Sequence, residues 1–319
     1  MLILAIFCFE IYVPLNPFSH SRITYFIKKG MSDDQIAKEL GNMRIVRSSS
    51  FFQLYAFLSF QHASLQAGKY IFSPSMSVYQ IVKKLAQGDV IKEKITIPGG
   101  WNTRDIGKYL ESEGICSKDD FLKLANQDWS RDFQFLKEKS KDISIEGYLF
   151  PDTYEISEDE TCQDIIKIML ANFDKKITPE IKNEITARNK SLFEIITVAS
   201  LVEEEVNIAK DKAIVAGIIY KRLQIGMPLQ IDSTVNYATD KNNRSVALAD
   251  LQADSPYNTY KYKGLPEGPI SNPGMGSIMA AINPAKTSYL YYLSNYDGQT
   301  IFSNSLAEHN AAKAQYLSR

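Results

Sequence analysis

Ile195, Val198, Ala199, Val202, Val206, Ala209, Ala213 and Ala216 recur at steps of three and four, the spacing of one face of an α-helix. The pattern predicts a helix that continues through Val215-Ala216-Gly217-Ile218-Ile219-Tyr220-Lys221-Arg222-Leu223 and stops at Gly226. Inside it, Ile196-Thr197-Val198-Ala199-Ser200-Leu201-Val202 runs directly into Glu203, Glu204 and Glu205. At roughly 100° per residue, Glu204 points away from the apolar stripe. Glu203 and Glu205 fall on its two borders, with Glu205 slightly nearer the centre. Helical phase thus makes Glu204 the solvated member of the three. The run as a whole reads either as helix-surface charge answered by Lys210 and Lys212 or as carboxylates beside a core, where a pKa can be raised for proton transfer.

A shorter pattern recurs between residues 22 and 115. Ile27–Leu40 matches Ile97–Leu110, and Phe72–Leu85 is a third copy. Each copy predicts a β-rich strand, a turn, a Ser or Asn in the N-cap position, and a short helix with Ile and Leu on one face. The expected product is a small α+β region of strand–turn–helix units. Such units resemble the LysM module, which binds N-acetylated glycans; a scaffold without a ligand fits the pattern equally well.

At the N-terminus, Leu2–Phe9 is apolar, Glu10 interrupts, and Ile11–Leu15 follows. The run is shorter than the ~20 residues that span a bilayer and lacks a positively charged n-region. A short anchor, a longer anchor begun ahead of this sequence, and a buried core segment are the open readings. A membrane anchor over 1–18 is the expectation adopted. A boundary is expected near 120–142, where Ser130-Arg131-Asp132 and the charged run Lys137–Asp142 break the pattern. The segments are then 1–18 (anchor), 22–140 (LysM-like) and 141–319 (a mixed α+β catalytic domain built around the central helix). In Glu146–Tyr154, Gly147 allows close backbone approach, Pro151 and Asp152 mark a turn, and three aromatics flank two acids. Those aromatics suit either a sugar site or ordinary core. Beyond Gly226 a polar, turn-rich stretch is expected, with 230–235, 257–260 and the Gly- and Pro-rich 264–274 as its segments, and Tyr289–Leu293 and Thr300–Ser303 read as strands.

With 319 residues and 45% hydrophobic content, the chain can bury a core and is expected to form two domains besides any anchor. A net charge of -1 without basic runs gives no reason to expect nucleic acid. Cys8, Cys116 and Cys162 lack metal-ligand spacing; Cys116 and Cys162 either pair, in an extracytoplasmic domain, or stay thiols. His20, His62 and His309 are scattered, and neither HExxH nor CxxC occurs. Neither a metal site nor a cofactor is expected.

The motifs EGYLFPDTY (146–154), ASLVEEE (199–205), YKRLQIGMPLQIDSTVNY (220–237), SPYNTYKYKGLPEGPISNPG (255–274), NPAKTSYLYYL (283–293) and AEHN (307–310) together resemble the YceG-like family of endolytic murein transglycosylases, over residues 22–319. The resemblance implies a bacterial protein held in the inner (cytoplasmic) membrane by one N-terminal helix, with its catalytic domain outside the cytoplasm. It further implies cleavage of nascent peptidoglycan strands at the β-1,4 MurNAc–GlcNAc bond with 1,6-anhydro ends, alongside penicillin-binding peptidoglycan synthases. The family's essential Glu lies in the motif aligned with Val202–Glu205. Its frequent Glu-Lys-Glu places Glu204 where a Lys is common. Glu205 is the expected catalytic acid and Glu203 its close rival.

One carboxyl suffices for such a reaction, acting first as acid and then as base, whereas hydrolases use two. Glu146, Asp152, Gln230, Asp232, Tyr257, Asn258 and Asn272 are candidates for sugar contacts or for orienting the acid. Two rivals stand beside this reading. One is a non-catalytic peptidoglycan-binding protein. The other is a two-carboxylate hydrolase pairing Glu205 with Asp152 or Asp232.

Overall fold

A computed structural model describes residues 2–59, 61, 65–241, 243 and 246–317; His62 lies outside the described residues. The chain divides into two compact units, one of Met1–Ile95 with Tyr154–Glu160 and one of Thr96–Thr153 with Thr161–Arg319. The first holds α1 (Leu2–Tyr12), β1 (Ile23–Ile27), α2 (Asp33–Asn42), α3 (Ser49–Leu58), β2 (Gly68–Phe72), α4 (Val78–Ala86) and most of β3 (Lys92–Thr96) and β4 (Thr153–Ser157). The second holds α5 (Thr103–Ser112), α6 (Lys118–Ala125), α7 (Cys162–Lys176), α8 (Pro179–Ala187), α9 (Leu192–Glu205), α10 (Ala209–Gln224), α11 (Asp232–Thr239), α12 (Met275–Ile282), β5 (Tyr291–Ser294), β6 (Thr300–Ser303) and α13 (Leu306–Tyr316). The class is mixed α+β, with small two-stranded sheets.

The repeat pattern folds as its spacing predicts. Ser32, Ser77 and Asn102 each cap a helix, and each forms a reciprocal box with the residue three positions on: Gln35, Gln80 and Asp105. Such caps satisfy donors that the first helical turn leaves open, at about 1 kcal/mol each. The paired apolar positions Ile36/Leu40, Ile81/Leu85 and Ile106/Leu110 are all buried. In the first unit β1 and β2 run antiparallel, with Tyr25 opposite Tyr70 and Ile23 opposite Phe72. Residues directly opposite share a face, so Tyr70 and Phe72 join Ile27, Leu40 and Phe52 in one core.

One expectation is left without support and another is corrected. The expected membrane anchor over 1–18 does not take the form of a spanning helix: α1 is 11 residues long, about 16 Å against a hydrocarbon core of ~30 Å. No helix among the described residues is long and apolar enough to cross a membrane. Ile11 is buried in the core of the first unit and Glu10 pairs with Arg47 at 3.6 Å, while Leu2, Leu4 and Phe9 remain exposed. The charged run at 137–142 also does not divide the units, which part at 95/96 and again around 154–160. Lys139 is folded in: its ammonium donates to the carbonyls of Ile143 (2.6 Å) and Ser140 (3.2 Å). The helix of the Ile97–Leu110 copy, α5, accordingly belongs to the second unit.

In the second unit α9 is the central helix. Leu192 and every residue from Ile195 to Val202 are buried, and α10 and α12 pack against it. The helix does not run on to Gly226. It ends at Glu205, Val206 is extended (φ -147, ψ 135), and a new helix starts at Ala209. Val206 is apolar and in phase, so periodicity reads straight through the break; beyond it Ala209 is exposed and the stripe is lost. Tyr148 and Phe150 are core. Tyr148 lies 5.9 Å from Phe135 and 5.2 Å from Phe173 between ring centroids. Gly147 makes the close approach foreseen for it. At φ +88, a Cβ there would stand 2.6 Å from Pro269 Cβ and 2.7 Å from Ile196 Cγ2. Gly147→Ala adds left-handed strain to overpacking and is expected to destabilise the unit by about 3 kcal/mol, read as a lowered midpoint in urea unfolding.

Candidate active site

Glu203, Glu204 and Glu205 form the last turn of α9, with no basic residue in that turn. The carbonyl end of a helix disfavours negative charge, so the local backbone already works against three ionised carboxylates. The 270–274 turn is tied to the same helix: Ile270 N–H donates to Ser200 Oγ (3.1 Å) and Ser271 Oγ to the Ser200 carbonyl (3.3 Å). Beside this corner lies a cavity of ≈ 680 Å³. One wall comes from Gly99–Asn102 and Arg104 at the start of α5, and another from Ser233, Asn236 and Tyr237 of α11. Glu203, Glu204, Asn207 and Ile270 complete it.

The three acids have separate environments. Glu203 Oε2 accepts from the Lys212 ammonium (3.0 Å), from Gly274 N–H (3.2 Å) and from the Ser277 hydroxyl. Three donors thus converge on one oxygen, tying Glu203 to α10, to the 270–274 turn and to α12. Two hydroxyls hold Glu205: Ser233 donates to Oε1 (2.9 Å) and Tyr292 to Oε2 (3.1 Å). Burial pushes its pKa up, and the Asp232 charge adds to the shift against the hydrogen bonds from Ser233 and Tyr292. Glu204 is exposed, as helical phase predicts, but the solvent it meets is that of the cavity. A carboxyl in a concave wall keeps accessible surface while losing much of its hydration. Desolvation, opposed by a Ser271 hydrogen bond and reinforced by Glu205, Glu203 and Asp105, pushes Glu204 up to about 7. Glu204 is therefore not inert filler.

The substrate-contact candidates fall mostly behind the walls. Glu146 is fully buried and accepts from Thr103, Asn272 and Tyr237; desolvation, opposed chiefly by the Thr103 bonds, raises it to about 7. Asn272 is fully buried too. Its amide donates to the Trp101 carbonyl and to Glu146 (both 2.9 Å), and its Oδ1 accepts from Leu149 N–H (2.9 Å). Asn258 closes its own loop, donating to the carbonyls of Leu251 (3.0 Å) and Ala253 (2.8 Å). Gln230 adopts φ +50 and is exposed outside the cavity lining. Asp232 opens α11 and accepts from the Tyr260 hydroxyl. Tyr257 packs on Tyr237 at 4.8 Å. Asp152 lies outside the lining as well, held by Asn172 (3.1 Å) and Lys176 (3.3 Å), and the Asn172 bond leads in lowering its pKa. Of these candidates and the acids, Glu203 alone was both foreseen and lines the cavity.

Trp101, Arg104, Ser233, Tyr237 and Tyr292 were missed. The available signal was Gly99-Gly100 ahead of Trp101: a Cβ on Gly99 would stand 2.8 Å from Glu203 Oε1, and one on Gly100 3.1 Å from Glu204 Oε1. Two adjacent glycines let the chain pass directly over the acids. Among the described residues no group of three His, Cys, Asp or Glu is placed to hold a metal ion.

The YceG-like family model matches residues 25–315. The chain is 35% identical over 318 residues to an endolytic murein transglycosylase of Bacillus subtilis (strain 168), covering 96% of this chain and 88% of that protein. It is 30% identical over 333 residues to one of Streptococcus pneumoniae serotype 2, where it spans 60% of the relative's length. A crystal structure of a yceG-like protein from Listeria monocytogenes superimposes with a TM-score of 0.63 at 34% identity, covering 92% of this chain and 100% of that one.

Proposed function

Because this chain belongs to the YceG-like family, we propose that it is an endolytic lytic transglycosylase of peptidoglycan, with Glu205 as acid and then base. The observation that supports this most is a half-buried carboxyl, held by Ser233 and Tyr292, beside an aromatic and amide-lined cavity at the end of one helix. Trp101 and Tyr109 offer faces for pyranose rings, and Asn102, Asn207 and Asn236 offer donors and acceptors to hydroxyl and acetamido groups.

In the proposed reaction the acid is Glu205, whose pKa burial raises and whose Oε1 accepts from Ser233, a residue of the cavity wall. Its proton goes to the β-1,4 glycosidic oxygen as the C1–O bond breaks and the GlcNAc hydroxyl leaves. The carboxylate so formed takes the proton of the muramic C6 hydroxyl while that oxygen bonds to C1, closing the 1,6-anhydro ring. One proton enters and one returns, and water is not consumed. No cofactor takes part. A second reading gives the acid's role to Glu204, whose carboxyl lines the cavity directly. The two-carboxylate hydrolase gains nothing from Asp152, held by Asn172 and Lys176 outside the lining.

The disulfide between Cys116 and Cys162 favours an oxidising, extracytoplasmic site for the catalytic unit. Attachment to the bacterial inner membrane, and work beside penicillin-binding synthases to limit strand length, complete the proposal. Digestion of purified glycan strands, with products weighed by mass spectrometry, tests it: 1,6-anhydro ends are expected. Reducing ends would point to the hydrolase, and intact strands to a binding protein.

A further inference from the structure

The cavity walls come from segments distant in sequence, and one buried side chain meets three of them. Glu146 accepts from Thr103 N–H (3.0 and 3.1 Å to its two oxygens) and Thr103 Oγ1 (2.9 Å) on α5. It also accepts from Asn272 Nδ2 (2.9 Å) and, on α11, from the Tyr237 hydroxyl (3.3 Å). It is fully buried and absent from the cavity lining, so it touches no substrate.

We propose that Glu146 is a positioning residue for glycan cleavage, clamping the start of α5, the 271–274 turn and Tyr237 into the one arrangement that faces the acids of α9. Each bond sets a neighbour that lines the cavity. Fixing Thr103 aims Asn102 and Arg104; Arg104 then lies 4.5 Å over the Tyr237 ring and donates to the Tyr237 carbonyl (2.9 Å). Fixing Asn272 sets the strap beneath Trp101, since Asn272 N–H donates to the Trp101 carbonyl (2.9 Å) and Gly100 N–H to the Asn272 carbonyl (3.0 Å). One residue before Asn272, Ser271 bonds Glu204; two residues after it, Gly274 N–H meets Glu203. A shift at Asn272 therefore reaches both acids within two residues. A carboxylate suits this place because two oxygens answer four donor groups. Oriented by Asn272, a glutamine must turn its NH2 onto the Thr103 and Tyr237 hydroxyls and give up their donation.

The inference rests on the proposed transglycosylase reading, and its test has one arm that needs no substrate. In Glu146→Gln, amide hydrogen exchange is expected to quicken in 99–104 and 271–274 and stay unchanged in α7 and α8. On glycan strands, well below the thermal midpoint, kcat is expected to fall and KM to rise, lowering kcat/KM roughly tenfold or more. Tyr237→Phe should give part of the same loss, and the double variant less than the product of the two. Unchanged exchange in those segments overturns the clamp. Quickened exchange with unchanged kcat and KM overturns its role in cleavage, leaving a merely stabilising carboxyl. An unsubstituted chain that cleaves nothing overturns the transglycosylase reading and the positioning role together, whereas failure in Glu146→Gln alone leaves that reading intact.

Discussion

Glu205→Gln is expected to lower glycan cleavage on the order of 10³-fold, in line with the loss of a positioned acid–base group, while the chain stays folded. Glutamine keeps the shape and can still meet Ser233 and Tyr292, the two hydroxyls that contact the carboxyl. The stability effect follows from the sign of the pKa shift. Burial raises Glu205 in the folded chain, so the folded state binds its proton more tightly than the unfolded state does. The stability so contributed is fully present below the unfolded value and is lost as pH rises through the folded one. Removing the group removes that loss, and the variant is expected to melt no lower than the parent at pH above the raised folded value. Activity has the matching sign. A proton donor must hold its proton, so the rate of the unsubstituted enzyme should fall with a midpoint above the usual glutamate range. Glu204→Gln should keep that descending limb if Glu205 is the acid. A dead Glu204→Gln beside a fully active Glu205→Gln would transfer the role to Glu204, and a dead Glu203→Gln beside that active variant would transfer it to Glu203.

Breaking the Cys116–Cys162 bridge is expected to have the largest effect on stability. The two cysteines are 46 residues apart, and closing a loop of that length restricts the unfolded chain by about 4 kcal/mol in the entropic account. The bridge joins the start of α6, one residue before its Ser117 cap, to the first residue of α7. α5, which carries Arg104, packs on α6, so the bridge braces the helix behind one cavity wall. Cys116→Ser with Cys162→Ser should lower the calorimetric midpoint, and reductant should lower that of the parent but not of the variant. Equal midpoints with and without reductant in the parent would remove the bridge from any account of its stability.

What the sequence determined by itself was whatever depends on spacing within about ten residues. The three capped helices, their Ile/Leu faces, the buried stretch up to Val202 and the strands β5 and β6 were all legible, because periodicity and cap chemistry are local. The corner holding the acids was legible as well, both from the apolar run ending in Glu203–Glu205 and from its motifs. The break at Val206 was not, since an in-phase apolar residue looks the same in a helix and in an extended link. Nor was the division of labour among polar residues. Glu146 and Asn272 read as loop side chains open to a ligand, yet they bond each other across 126 residues of sequence and lie wholly inside. Helical phase placed Glu204 correctly on the exposed side, but only the approach of Gly99-Gly100 and α11 turned that side into a cavity. Inside or outside, donor or acceptor, is decided by what packs opposite a side chain, and that neighbour is supplied by the tertiary fold.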